Sequence, residues 1–67
     1  MDTTYRLGQI LAHEDGSIYV VHEIHDTHMF LRIVFEAHPL FANDTQHRAT
    51  FGGDLLAHCH EIGEVEP

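Results

Sequence analysis

Between Tyr5 and Glu36 apolar and polar side chains alternate with the two-residue period of a half-buried strand, and two polar clusters interrupt the alternation. In YRLGQILAHEDGSIYVVHEI (5–24) apolar runs flank Glu14–Ser17, and Asp-Gly in that setting is a strong hairpin signal. A turn centred on Asp15-Gly16 predicts that His13 opposes Ile18, Leu11 opposes Val20, Gln9 opposes His22 and Leu7 opposes Ile24. A four-residue loop over 14–17 keeps that register. A second turn, centred on Asp26-Thr27, sets His25 against His28, Ile24 against Met29, His22 against Leu31, Val20 against Ile33 and Ile18 against Phe35. The two turns are placed independently, and together they predict a three-stranded antiparallel meander with one apolar face.

Because side chains alternate across a sheet, that face collects Tyr5, Leu7, Leu11, Ile18, Val20, Ile24, Met29, Leu31, Ile33 and Phe35. Gln9 and His22 would be neighbours within it, a hydrogen-bonded core pair that fixes register; a pH-sensitive latch is the functional alternative. The opposite face is mixed, with Ile10, Tyr19, Val21, Phe30 and Val34 at its centre and Glu23 and Glu36 on a charged rim. An apolar patch exposed on a small protein marks a partner surface. These seven residues are therefore the candidate partner-binding set.

Beyond Glu36, AHPLFANDTQHRATFGG (37–53) reads mostly as loop, punctuated by Pro39, Asn43-Asp44 and Gly52-Gly53. DLLAHCHEIG (54–63) supports two readings. As a helix over 54–62 it has Asp54 as N-cap, a stripe of Leu55, Leu56, Cys59 and Ile62, and Gly63 after its end. As a strand it completes a closed five-stranded sheet, with 47–51 as the fourth strand, and closure removes exposed sheet edges. The expectation is thus an all-β, single small domain over 1–67: a meander closing into a small barrel, with 63–67 a frayed acidic tail. A three-stranded sheet plus a short C-terminal helix is the alternative.

YRLGQILAHEDGSIYVVHEI together with the late LLAHCHEIGEV resembles small SH3-like or KOW-type β-barrels: a basic-apolar opening with Gly8, a glycine-containing hairpin, then a closing strand. The resemblance implies the fold, and such folds commonly dock on protein or RNA. It carries no catalytic motif, and the acidic composition departs from RNA-binding versions.

That composition changes the picture in two ways. Eleven acidic residues face three arginines and no lysine, a formal charge of −8, which repels nucleic acid and anionic membrane and attracts basic protein surfaces. Eight histidines make that charge steeply pH-dependent near 6.5, which means either poor solubility at mildly acidic pH or pH sensing. One cysteine, Cys59, permits no intrachain disulfide and fits a reducing compartment. The opening MDTTYRLGQI lacks a secretory pattern and the longest apolar run, IYVV, is too short to span a membrane. A cytoplasmic protein is expected.

HEIHDTH (22–28) raises the possibility of a metal site. A helix there would align His22, His25 and Asp26, but the β-branched and aromatic flanks SIYVV and MFLRIVF oppose helix. In the hairpin His25 and His28 become cross-strand partners, with Cβ atoms ~5 Å apart. His58 and His60, on one side of a strand, would have to approach them to complete a four-ligand site for zinc, nickel or copper. His38 and His47 read as solvated loop residues.

No nucleophile-base pair or buried carboxylate pair is visible, so no catalytic residue is named and no enzyme is expected. The reading is a non-enzymatic acidic module, accessory or inhibitory in the manner of phage and mobile-element proteins. It would dock on the basic surface of a larger, nucleic-acid-handling protein, without cofactor, direct nucleic-acid contact or membrane. Histidine-based metal binding and homodimerisation through the outer face are the alternatives.

Overall fold

A computed structural model of the chain describes residues 5–37 and 46–65. Within them β1 (Gln9–His13), β2 (Ile18–Ile24) and β3 (His28–Phe35) form the meander, and β4 (Gln46–Thr50) adds to β3. A short helix, α1 (Asp54–Ala57), leads into β5 (Cys59–Glu64), which returns to pair with β1. All pairings are antiparallel and the order is β4-β3-β2-β1-β5. The chain is therefore mostly β, a five-stranded antiparallel sheet with one short helix.

The expected barrel closure is absent among the described residues. β4 pairs only with β3 and β5 only with β1, and α1 packs against both edge strands. The two readings of 54–62 each hold for part of the segment. Gly52, at φ +79°, and Gly53 end the preceding strand, and the helical turn then buries Leu56 against the core. Gly53 rather than Asp54 takes the N-cap position, with no side-chain cap.

The sheet encloses Leu11, Tyr19, Val21, Met29, Leu31, Ala49 and Leu56, with Tyr5, Ile33, Phe51, Leu55 and Cys59 packed around them. Met29, Leu31 and Ile33 point inward as expected, but β2 has the opposite parity from expectation. Leu11 pairs with Tyr19 rather than Val20. The reason lies in the first turn. Two-residue type I′ hairpins need positive φ at both central residues, and among the described residues none but glycine has positive φ. The loop instead has three residues, Glu14–Gly16, closed by Gly16 N–H to the His13 carbonyl and His13 N–H to the Ser17 carbonyl, each 2.9 Å. Gly16 supplies φ +99°, and Asp15 Oδ1 accepts from Ser17 N–H at 2.8 Å. One residue more than the two-residue turn flips Ile18, Tyr19, Val20 and Val21 to the opposite face.

The second turn is where the sequence places it: Ile24 pairs with Met29, and His25 N–H donates to the His28 carbonyl at 2.8 Å. The two turns thus impose opposite parities on one strand. A bulge reconciles them, since the register moves from Glu23↔Phe30 to Val21↔Leu31 with His22 as the extra residue. Instead of pairing with Gln9 in the core, His22 is exposed. Gln9 remains buried, and its Oε1 accepts from Arg6 N–H at 2.9 Å. Ile24 and Phe35, expected inside, are exposed as well.

Fraying from Gly63 onward is not observed in the described residues. Gly63 and Glu64 pair with Ile10 and Gln9, and Val65 N–H donates to the Gly8 carbonyl at 2.7 Å. The loop expected around Pro39 and Asn43-Asp44, His38, and the tail residues Glu66 and Pro67 lie outside the described residues.

Candidate functional site

With β2 in its observed register, the outer face of the sheet resolves into cross-strand rows. Across the middle run Gly63, Ile10, Val20, Arg32 and Gln46; on one side lie His60, Ala12, Ile18 and Phe35. On the other come Glu23, Phe30 and Arg48, and then His28 and Thr50, with His25 beside His28. Ile10, Ala12, Ile18, Val20 and Phe30 are half-buried, packed side by side, whereas Val34 and Phe35 are 60% and 57% exposed.

Of the candidate partner-binding residues, Ile10, Glu23 and Phe30 stand in these rows, and Val34 is exposed nearby on β3. Tyr19 and Val21 do not belong to the outer face. Each is only 2% exposed, because the three-residue turn and the His22 bulge send them inward. Glu36 is also displaced. It accepts from His47 Nε2 at 3.1 Å, and the His47 ring meets the buried Tyr19 ring edge-on at 5.5 Å. His47 is accordingly a half-buried residue of β4, not a loop residue.

The charge of the outer face also departs from expectation. Arg32 and Arg48 are exposed and occupy adjacent rows on neighbouring strands, close enough for long side chains to act together. Glu23 is the one carboxylate residue in the rows. Arg48 was missed because the fourth strand expected over 47–51 was given no register, so its faces stayed unassigned; the signal was the alternation of Gln46, Arg48 and Thr50 with His47 and Ala49.

Four of the eight described carboxylates gather elsewhere. Glu14 and Asp15 form the tip of the first hairpin, and Glu61 and Glu64 lie on β5, beside β1. Arg6 joins this flank, its Nη2 2.6 Å from Glu61 Oε2 and its Nε 3.1 Å from Glu64 Oε1. The Glu64 hydrogen bond, then the charges of both glutamates, raise the Arg6 pKa. The Ser17 backbone N–H holds the Asp15 carboxyl below its ordinary value. The hairpin tip is fastened to β5 by Glu14 N–H to the His58 carbonyl at 3.1 Å and by a hydrogen bond between His58 Nδ1 and the Glu14 carboxylate.

The four metal-candidate histidines do not come together. His25 and His28 stack at 4.8 Å between centroids with planes 21° apart, and both meet Phe30 edge-on at 5.5 and 5.3 Å. An imidazole lone pair lies in its ring plane, so two nearly parallel, stacked rings do not converge on one ion. His25 Nε2 is occupied by Glu23 Oε1 at 3.1 Å, and His28 Nδ1 lies 3.0 Å from Thr27 Oγ1. His58 and His60 belong to the opposite end of the sheet, and at ~3.3 Å per strand residue the length of β2 separates the ends by roughly 20 Å. Among the described residues no three His, Cys, Asp or Glu side chains form a metal-holding group.

Burial shifts three further groups. Desolvation raises the pKa of Tyr19, Tyr5 and Cys59, the thiol being half-buried beside the core. His28 moves the other way: desolvation, then Arg48 and His25, lower it below 6.5. Among the described residues no helix is long and apolar enough to cross a membrane. Comparison with protein-family models, with curated proteins and with solved structures returns no match to this chain.

Proposed function

We propose that this chain is a non-enzymatic binding module, an acidic accessory or inhibitory protein that docks on the basic surface of a larger, nucleic-acid-handling protein. The supporting observation is a cluster of four of its eight described carboxylates on one flank. With a formal charge of −8, the chain carries Glu14, Asp15, Glu61 and Glu64 on the flank formed by the first hairpin and β5, where Arg6 offsets only part of them. Such a flank steers the molecule toward positive surfaces over about one Debye length, ~8–10 Å at moderate salt. By occupying the place of a phosphate backbone, it blocks a nucleic-acid site. An SH3-like ancestry belongs to the same proposal: a meander of three strands, a glycine-containing hairpin and a last strand returning beside the first are what the sequence resemblance implies, although the sheet stays open.

The test is titration of the labelled protein with an arginine-rich peptide, followed by amide chemical shifts. The reading expects saturable shifts at 14–15 and 59–64 that weaken severalfold between 50 and 300 mM salt. The double substitution Glu14→Lys with Glu61→Lys should abolish them. Binding that ignores both salt and charge reversal refutes it.

A further inference from the structure

The outer sheet face differs from the acidic flank in charge and in polarity, so a second surface is built into the same molecule. Its floor is apolar: Ile10 and Val20 pair across β1 and β2, and Ala12 and Ile18 do so in the next row. Phe30 stands beside that floor, and Arg32 and Arg48 border it on the β3–β4 side. Within a chain of only three arginines, two are placed together here and the third is held by glutamates of the flank.

We infer that this face docks an acidic, apolar polypeptide segment of a partner protein, whose carboxylates meet Arg32 and Arg48 while its apolar side chains cover Val20, Ile10 and Phe30. Charge complementarity selects the occupant. Two exposed guanidiniums form charge-assisted hydrogen bonds with carboxylates, and the apolar floor gains only from a ligand that itself carries apolar side chains. A nucleic-acid strand satisfies the arginines and can stack a base on Phe30, but its phosphates, spaced along the backbone, face a molecule of formal charge −8. An acidic peptide segment carries two or three charges close to the arginines and little beyond them. The inference is independent of the acidic flank: a molecule with both surfaces bridges a basic and an acidic partner.

The experiment uses the full chain, isotopically labelled, and three probes: a six-residue peptide alternating Val and Glu, its Lys-Val counterpart, and single-stranded oligothymidylate. The inference expects saturable shifts at 10, 18–20, 30–34 and 46–48 with the Glu-Val peptide. Arg32→Gln with Arg48→Gln, both at exposed positions, should leave the thermal midpoint within 2 °C and weaken that binding about tenfold. Phe30→Ser should weaken it also while leaving the Lys-Val peptide's contacts on the flank intact. The assignment is overturned if the peptide produces no saturable shift, if its shifts fall on 14–15, 61 and 64 instead, or if the double glutamine variant binds equally well. Tighter binding of oligothymidylate at the same rows overturns it in favour of nucleic acid. Shifts of these rows that depend on protein concentration alone overturn it in favour of a second copy of the chain.

Discussion

Val20 and Val21 are adjacent in sequence and identical in chemistry, so replacing each by alanine reads the parity of β2 directly. Val21 is 2% exposed among Leu11, Met29 and Leu31, while Val20 is half-buried on the outer face. Val21→Ala removes two buried methyl groups, worth about 0.8 kcal/mol each by transfer, and incomplete collapse of the cavity raises the cost to about 2 kcal/mol. For a 67-residue domain, with about 4–8 °C lost per kcal/mol, that lowers the thermal midpoint by about 8–16 °C. Val20→Ala gives up partial burial only and should cost under about 1 kcal/mol. Urea titrations followed by far-ultraviolet circular dichroism measure both, with the slope m checked for constancy. If Val20→Ala proves the more damaging of the two, β2 faces the other way and the placement of the outer face is wrong.

The remaining expectations concern turns, pH and metal. Gly8 has φ +87°, and a Cβ there would lie 2.9 Å from the Val65 carbonyl oxygen, so Gly8→Ala should cost about 2 kcal/mol or more by urea titration. Gly16→Ala meets only the positive φ, with its nearest contact an ordinary 3.8 Å, and should cost about 1 kcal/mol. His28 is depressed in the folded chain, so the unfolded chain takes up its proton first; stability falls as pH drops through 6.5, and His28→Gln should flatten the urea midpoint between pH 7.5 and 5.5. Tyr5 and Tyr19 are raised above 10.0, so the unfolded chain loses those protons first. Stability should therefore fall above pH 10, with phenolate absorbance rising together with unfolding. Chelator treatment should leave the thermal midpoint unchanged, because His25 and His28 stack rather than converge; a drop of several degrees, restored by zinc, contradicts that geometry.

Much of this architecture is legible in the chain. Alternation in MFLRIVF places Met29, Leu31 and Ile33 inward, and Asp26-Thr27 marks the second reversal at the correct pair, Ile24 with Met29. The parity of β2 was not legible, because Asp-Gly is compatible with a two-residue or a three-residue loop and the choice depends on the φ of Asp15. A bulge has no sequence mark of its own; His22 is simply the polar residue that the sheet can spare. DLLAHCHEI carries helix and strand signals together because it holds both, the four residues of α1 and the first four of β5. Of the outer face, Ile10, Glu23, Phe30 and Arg32 could be placed from alternation alone. Arg48 could not, because the fourth strand expected over 47–51 follows no short turn that would fix its register against β3.

The register of β1 against β2 decides which side chains form the core and which form the docking faces, and nuclear Overhauser contacts measure it most directly. The account predicts close backbone proton contacts across Leu11–Tyr19 and Ala12–Ile18, with the Tyr19 ring near the His47 ring. Contacts across Leu11–Val20 and His13–Ile18, with a solvent-exposed Tyr19 ring, would contradict it.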